Sequence, residues 1–465
     1  MIGDSGGEAH APAAKRTAGV ELRELSERIR RFVGERHPTK LLLFGYASYI
    51  IVGWLLLCLP FSQAGTGVSS LDNLFTATSA VSTTGLTTTS VAGNYSFLGQ
   101  VIVLLLIQLG GIGYMTFGSF IILSRKSELP PTRAEVGKVA FSLPEPFDIR
   151  RFIRSVVAFT FIIELSGALA LYFALSAAGQ NAPVWGAVFH SISSFCTAGF
   201  SLYDSSFESH AANFWLNAII AALSYLGAIG FIVCVDSWRV ISGKAEEMTL
   251  TSRIILWSTF WLTVGGTLLL FLGEPAIRSK PLDERIMAAF FQAMTAMTTV
   301  GFNTIGIGGL AKTSVLLIII LMVIGSSPSG TGGGLKCTTF SAVLGVMRST
   351  IRGEKDVRFW GRPIPIERVW AAVATLAFYL TALIMGTYLL EMTEASSFDE
   401  NLFEAASALG TVGLSMGITP VLTAVGKCIV IALMFCGRLG PLTFGMALFC
   451  RSKPVPEKRN NDLAI

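Results

Sequence analysis

Four stretches of thirteen residues carry the groups from which a cation site can be built. Residues 74–86 read LFTATSAVSTTGL, 188–200 VFHSISSFCTAGF, 290–302 FFQAMTAMTTVGF and 402–414 LFEAASALGTVGL. Each has Phe at its second position (Phe75, Phe189, Phe291, Phe403), small residues in its middle, Thr at its tenth and Gly at its twelfth. Glycine permits backbone angles that aim carbonyl oxygens inward. The carbonyls of Thr83, Thr84 and Gly85, of Thr197, Ala198 and Gly199, of Thr299, Val300 and Gly301, and of Thr411, Val412 and Gly413 can therefore line one axis. Such a ring can replace the water shell of a cation. A short helix leading into each turn would point the negative end of its dipole at that ion. A small residue and a glycine could instead serve only close helix packing. Recurrence at equivalent positions, 102 to 114 residues apart, favours a duplicated unit that builds a shared structure. The residues after each Phe (Thr76, His190, Gln292, Glu404) are read as local hydrogen-bond partners of these helices and not as ion ligands.

Two further features carry chemistry. Residues 325–336, GSSPSGTGGGLK, interrupt an apolar run: Gly325, Ser326, Ser327, Pro328, Ser329, Gly330, Thr331, Gly332, Gly333, Gly334 and Lys336. Glycine costs a helix about 1 kcal/mol and proline about 3, so this stretch is expected to be irregular backbone just below the ring, where it would obstruct it. Irregular backbone at membrane depth is tolerated only against protein or water. Gly325 and Gly330 have the spacing of a phosphate-binding loop, but Thr331 stands where that motif needs Lys. Arg438, in FCGRLGPLTFG, is a cation inside a span, which is costly and usually functional. Placed in the cavity below the ring it would oppose a passing cation and anchor the loop. A packing cation paired with Glu164 or Glu404 is the alternative. Lys336 is expected to snorkel to the cytoplasmic rim.

The elements that must position these residues are membrane helices. Of the 465 residues, 52% are hydrophobic and 14% charged, against about 25% charged in soluble domains; the mean hydropathy is +0.62. Eight spanning segments are expected at 41–60, 98–124, 155–178, 213–235, 254–273, 313–347 (interrupted), 369–390 and 428–450. The four motifs fall between the first and second, third and fourth, fifth and sixth, and seventh and eighth. Each motif is too short to cross a bilayer, which takes about 20 apolar residues. The expected fold is thus all-α integral membrane: four pseudo-repeats of span, pore loop and span, with eight transmembrane and four re-entrant helices around one central pore. The units are 40–124, 125–241, 242–352 and 353–450, flanked by a polar segment 1–39 and a tail 451–465. Residues 20–36 form an amphipathic surface helix, an orientation signal against the membrane lipid and not a nucleic-acid-binding arm. No apolar leader stretch precedes them. Of 35 Lys and Arg, 28 fall in 1–40, 125–154, 239–253, 348–368 and 451–459, and five in the opposite loops. By the positive-inside rule both termini are cytoplasmic and the motifs enter from outside. Seven cysteines without a CxxC pair indicate neither a disulfide framework nor a zinc site. With no His and no His/Asp/Glu cluster in a span, an intramembrane enzyme has no nucleophile–base pair or metal ligands to work with.

The four motifs, the run SSPSGTGGGLKCTTF and the GRLGPLTF around Arg438 resemble the Trk/Ktr/HKT superfamily of potassium transporters over about residues 40–450. Eight spans without an extra N-terminal pair are similar to its KtrB-type membrane subunits. The resemblance implies K+ as substrate, no organic cofactor in this chain, and a bacterial inner (plasma) membrane location. It also implies a homodimer with one pore per subunit, and a cytosolic KtrA/TrkA-type ring that binds ATP or ADP and moves the loop. Na+ stimulation is a further implication. In that superfamily Gly in all four turns accompanies K+ selectivity, while Ser in the first accompanies Na+ preference; this chain has Gly85. A TrkH-type transporter, or a Na+-permeable or coupled symporter on the same fold, is the alternative.

Overall fold

The computed structural model describes residues 38–65, 67–113, 149–180, 183–354, 356–440 and 443–446. The expected helix at 20–36, the segment 114–148, the tail 451–465 and most of the last span beyond residue 440 lie outside these.

Four helices are long and apolar enough to cross a membrane: α1 (Pro38–Leu57), α4 (Ile149–Ala177), α8 (Leu250–Gly273) and α12 (Ile366–Thr393). Each is followed by a short helix built on one of the four motifs: α2 (Ser70–Val81), α5 (Val184–Phe195), α9 (Leu282–Thr298) and α13 (Phe398–Gly410). After each short helix comes a second apolar helix: α3 (Phe97–Ile112), α6 (Phe214–Ala228), α10 (Lys312–Ile324) and α14 (Ala424–Leu439). Two more helices continue the chain, α7 (Phe231–Ile241) and α11 (Cys337–Arg352). A small hairpin, β1 (Arg358–Phe359) with β2 (Arg362–Pro363), leads into α12.

The packing repeats with the sequence. Each long helix lies on the motif helix that follows it, and that helix lies on the next apolar helix. The second helix of each unit also packs on a motif helix of the next unit: α3 on α5, α6 on α9, α10 on α13, and α14 back on α2. The four units therefore close in a circle. Side-chain size explains who faces whom. The long helices turn Leu165, Phe173, Trp257, Leu268, Trp370 and Ile384 outward, all more than half exposed, as a lipid-facing surface requires. The motif helices carry Ala, Ser and Thr on buried faces, and their four Phe rings are completely buried.

The second helices differ from expectation. Residues 213–235 do not form one straight helix: α6 and α7 meet at 94° around Ile229 and Gly230. α3, α10 and α14 also stop early. All four stop at a glycine with positive φ: Gly113 (85°), Gly230 (95°), Gly325 (62°) and Gly440 (83°). The chain reads GGIG, GAIG, MVIG and GRLG at these places, so a terminating glycine recurs in every unit and not only at residue 325. Three residues earlier, Gly110, Gly227 and Gly437 let the helix touch the motif helix of its own unit. A Cβ there would meet the carbonyl of Val81, Phe195 and Leu409, respectively.

Gly437→Val should therefore overpack the contact between α14 and α13 and cost about 1–3 kcal/mol. Gly265→Ala, in mid-α8 with nothing within 4 Å of the new Cβ, should leave stability within about 1 kcal/mol of wild type. Thermal unfolding of the purified variants checks the pair; equal midpoints would remove the close-contact explanation.

Candidate functional site

The four motif turns meet at the centre of the circle. Each motif helix ends at its threonine, which takes a left-handed conformation: φ is 51° at Thr83, 49° at Thr197, 60° at Thr299 and 49° at Thr411. Each glycine two residues on is also left-handed, between 66° and 93°. The intervening N–H folds back on the helix five residues earlier: Thr84 to Ser79 O (2.8 Å), Ala198 to Ser193 O (2.8 Å), Val300 to Thr295 O (3.2 Å) and Val412 to Ser407 O (2.8 Å). Glycine was anticipated here; the left-handed threonine was not. Threonine is strained in that region, and the identical turn in four places marks a geometry that the packing imposes.

The turns touch in sequence around a ring. A Cβ on Gly85 would strike the carbonyl of Ala198, one on Gly199 that of Val300, one on Gly301 that of Val412, and one on Gly413 that of Thr84. The same hypothetical Cβ atoms would lie only 3.1–3.2 Å from the next glycine's Cα. All twelve turn residues named from the sequence thus come together. A Cβ at any of the four glycines would require the neighbouring turn to shift.

Three of the four residues after the Phe positions tie the returning chain to the helix, whereas the Thr76 hydroxyl is buried without a hydrogen-bond partner. His190 Nε2 lies 3.2 Å from Ser201 Oγ and accepts from Leu202 N–H at 3.2 Å, while Gly186 O lies 2.8 Å from its Nδ1. Glu404 accepts from Ser415 Oγ (2.8 Å) and from Thr419. Gln292 donates to Ile305 O at 3.5 Å. The expected local hydrogen-bonding role is met at these three positions. At the outer rim Lys427 of α14 pairs with Asp72 of α2 at 2.6 Å, joining the fourth unit to the first. Ser90 donates to Asp204 (2.5 Å) between the first and second, and Asn303 to Glu208 (2.7 Å) between the third and second.

Below the ring lies the stretch 325–336, irregular as expected. Thr331 is its centre. Its carbonyl accepts from Thr83 Oγ1 at 3.3 Å and from Arg438. Its hydroxyl bonds Thr197 Oγ1 (3.0 Å) and Phe195 O (3.1 Å). A Cβ on Gly332 would meet Thr299 Oγ1, and one on Gly333 would meet Thr411 Oγ1. The stretch therefore sits under all four ring threonines. It is held chiefly by the break between α6 and α7. Ala228 O accepts from Ser327 N (3.2 Å) and Oγ (2.5 Å), and Gly227 O from Thr331 N (3.1 Å). Ser329 O and Oγ accept from Phe231 N (3.3 Å) and Ile232 N (3.2 Å).

Arg438 reaches into this centre from α14. It donates to Thr83 Oγ1 (2.8 Å), to Thr331 O and to Gly110 O. Neither proposed carboxylate pairs with it: Glu164 accepts from Gln108 at 2.9 Å and lies 3.6 Å from Cys196 Sγ, and Glu404 is held as above. Counting back from the terminating glycines, Arg438 occupies the place of Gly111, Ala228 and Val323 in the other units. Lys336 corrects an expectation: it does not run to the cytoplasmic rim. Its Nζ donates to Gly332 O (2.7 Å) and Gly333 O (3.3 Å). The two loop carbonyls solvate the ammonium locally.

This circle of apolar helices with a carbonyl ring and a plug at its centre defines a membrane transport protein. A family model described as TrkH, cation transport protein, matches residues 54–462. The chain belongs to that family, whose members move ions and are not enzymes. It is 33% identical over 412 residues to the Ktr system potassium uptake protein B of Bacillus subtilis, covering 88% of this chain and 92% of the relative. It is also 33% identical over 426 residues to the potassium/sodium uptake protein NtpJ of Enterococcus hirae, covering 89% and 93%. The crystal structure of the potassium transporter TrkH from Vibrio parahaemolyticus superposes with a TM-score of 0.72 at 19% identity, over 88% of this chain and 84% of that one.

The Asp72–Lys427 tie yields a pH prediction. Partial burial works against the charged carboxylate, but hydrogen bonds from Lys427 and Ser69 outweigh it and hold Asp72 below its ordinary value of 3.8. A depressed carboxyl contributes stability that is present above that value and lost as pH falls through the lower folded one. Asp72→Asn should lower stability at neutral pH by about 1 kcal/mol. The gap to wild type should close as pH falls below 3.8 and through the lower folded value, in thermal unfolding followed against pH. A gap that persists there would assign the loss to packing.

Proposed function

We propose that this chain is a potassium uptake protein whose carbonyl ring is the selectivity filter of a channel-like pore. The observation that carries the reading is the ring itself: four equivalent turns, each glycine against the next turn's carbonyl, with Thr331 beneath. The four motif helices end at the ring and lend it their negative dipole ends. The potassium named in the relatives' descriptions is the ion that such oxygens suit. Inward movement follows the membrane potential, worth about 2.3 kcal/mol per charge at 100 mV, so no energy source is needed within the chain.

Residues 325–336 with Lys336 are the gate. They fill the space under the filter and are held by directed hydrogen bonds and by Leu335, which is buried in the core. Arg438 sets an electrostatic barrier and latches the gate through Thr331. The basic residues Arg348, Arg352 and Arg358, with Lys355 outside the described residues, form a docking face for a KtrA/TrkA-type ring that supplies the nucleotide response. The working unit is a homodimer in the bacterial plasma membrane with both termini cytoplasmic. Na+ stimulates transport, in keeping with a relative described as a potassium/sodium uptake protein.

Expression in cells lacking their own K+ transporters tests the reading. The chain should restore growth on low K+, more strongly with a KtrA-type partner. Gly85→Ser should reduce the K+ over Na+ preference by about tenfold, or about 1.4 kcal/mol. Arg438→Ala should raise flux by a comparable factor if it lowers the barrier by about 1.4 kcal/mol. Deletion of 326–334 should make conduction constitutive. Unchanged selectivity in Gly85→Ser would remove the first turn from the filter, and a silent but inserted deletion variant would remove the gate.

A further inference from the structure

Beneath the gate lies a cavity of about 650 Å³ whose charge does not suit a cation pathway. Its roof is Pro328, Ser329, Gly330, Gly332 and Gly334 with Lys336 and Arg438, and Arg239 and Arg368 stand on its walls. The acid that lines it, Asp236, is buried and already accepts from Thr249 N–H at 2.7 Å. Four cations thus face one space with a single, committed carboxylate among the described residues. The hydrogen-bond partners of Lys336 and Arg438 are all uncharged: carbonyls and a hydroxyl. Taking an ion out of water costs several kcal/mol unless an opposite charge compensates. Arg239 and Arg368 are exposed, and their planar forks match phosphate oxygens. The lining also includes the hydroxyl residues Thr338 and Thr339 in the first turn of α11, whose N-cap, Lys336, makes no side-chain capping bond.

We propose that this vestibule binds a phosphate-bearing anion, either a free oligophosphate or the headgroup of an anionic inner-leaflet lipid. Arg239 and Arg368 hold its outer oxygens, and Lys336 and Arg438 meet it from the roof. The bound anion draws those two cations away from Gly332 O, Gly333 O and Thr331 O. It thereby weakens the gate's hold on the filter and lowers the barrier to an inward-moving cation. This consequence for gating rests on the filter reading above; the anion site itself does not.

The test uses the full chain in phosphatidylcholine nanodiscs, with pyrophosphate as probe and titration calorimetry as readout. Saturable binding is expected. Arg239→Gln/Arg368→Gln should weaken it by at least about tenfold, and Arg239→Lys/Arg368→Lys should keep most of it. If the resident ligand is a lipid, nanodiscs containing phosphatidylglycerol should show weakened pyrophosphate binding; if it is a free anion, the two lipid compositions should bind alike. Absence of saturable binding in phosphatidylcholine, or binding unaffected by the Gln variants, would overturn the site. Binding is read without transport, so it can stand where the uptake experiment fails, and the reverse.

Discussion

The structure depends on one constraint: a backbone group at membrane depth has to find a hydrogen bond, because no water is there to supply one. Breaking a helix frees carbonyls at one end and N–H groups at the other. This chain breaks two neighbouring helices and lets them satisfy each other. The carbonyls of Gly227 and Ala228, released where α6 ends, accept from Ser327 and Thr331. The N–H groups of Phe231 and Ile232, released where α7 begins, donate to Ser329. The loop 325–336 is thus the complement of a bend in the second unit. Ser329 itself takes φ 58° to make the fit. The arrangement is held as a set of directed bonds, with Leu335 buried in the core at its far end.

A fourfold plan has been specialised at single positions. The terminating glycine recurs four times, but the residue two before it is Gly111, Ala228, Val323 or Arg438. Three of these are small or apolar and one is a cation long enough to cross the axis to Thr83 of the first unit. The third unit instead turns its break into the loop. Asymmetry also reaches the ring threonines. Thr83 and Thr197 bond Thr331, whereas the hydroxyls of Thr299 and Thr411 are buried with no hydrogen-bond partner. Two quadrants under the ring are therefore latched by hydrogen bonds and two are merely covered by Gly332 and Gly333.

Much of this was legible in the sequence because it was repeated. One Thr-x-Gly is weak; four at the same place in a thirteen-residue frame announce a ring, and all twelve turn residues do meet. Pro328 and the glycines of 325–336 announced irregular backbone through propensity alone. The bend at Gly230 was not legible by hydropathy, since 213–235 is apolar throughout and a window average cannot see one φ angle. Its signal lay in comparing GAIG with GRLG and GGIG across the units. Lys336 was not legible because its Nζ bonds carbonyls of its own loop, Gly332 O and Gly333 O, which no charge pattern marks. The partners of Arg438 were not legible either, since all are carbonyls or a hydroxyl and no charge pattern marks them.

The central claim is that the four carbonyls before the glycines hold the transported ion. Anomalous diffraction from crystals of this protein soaked with Rb+ or Tl+ tests it most directly. An anomalous peak on the ring axis, within coordination distance of the carbonyls of Thr84, Ala198, Val300 and Val412, is the expected result. Ions ordered elsewhere in the protein, with the ring empty at saturating Rb+, would contradict it.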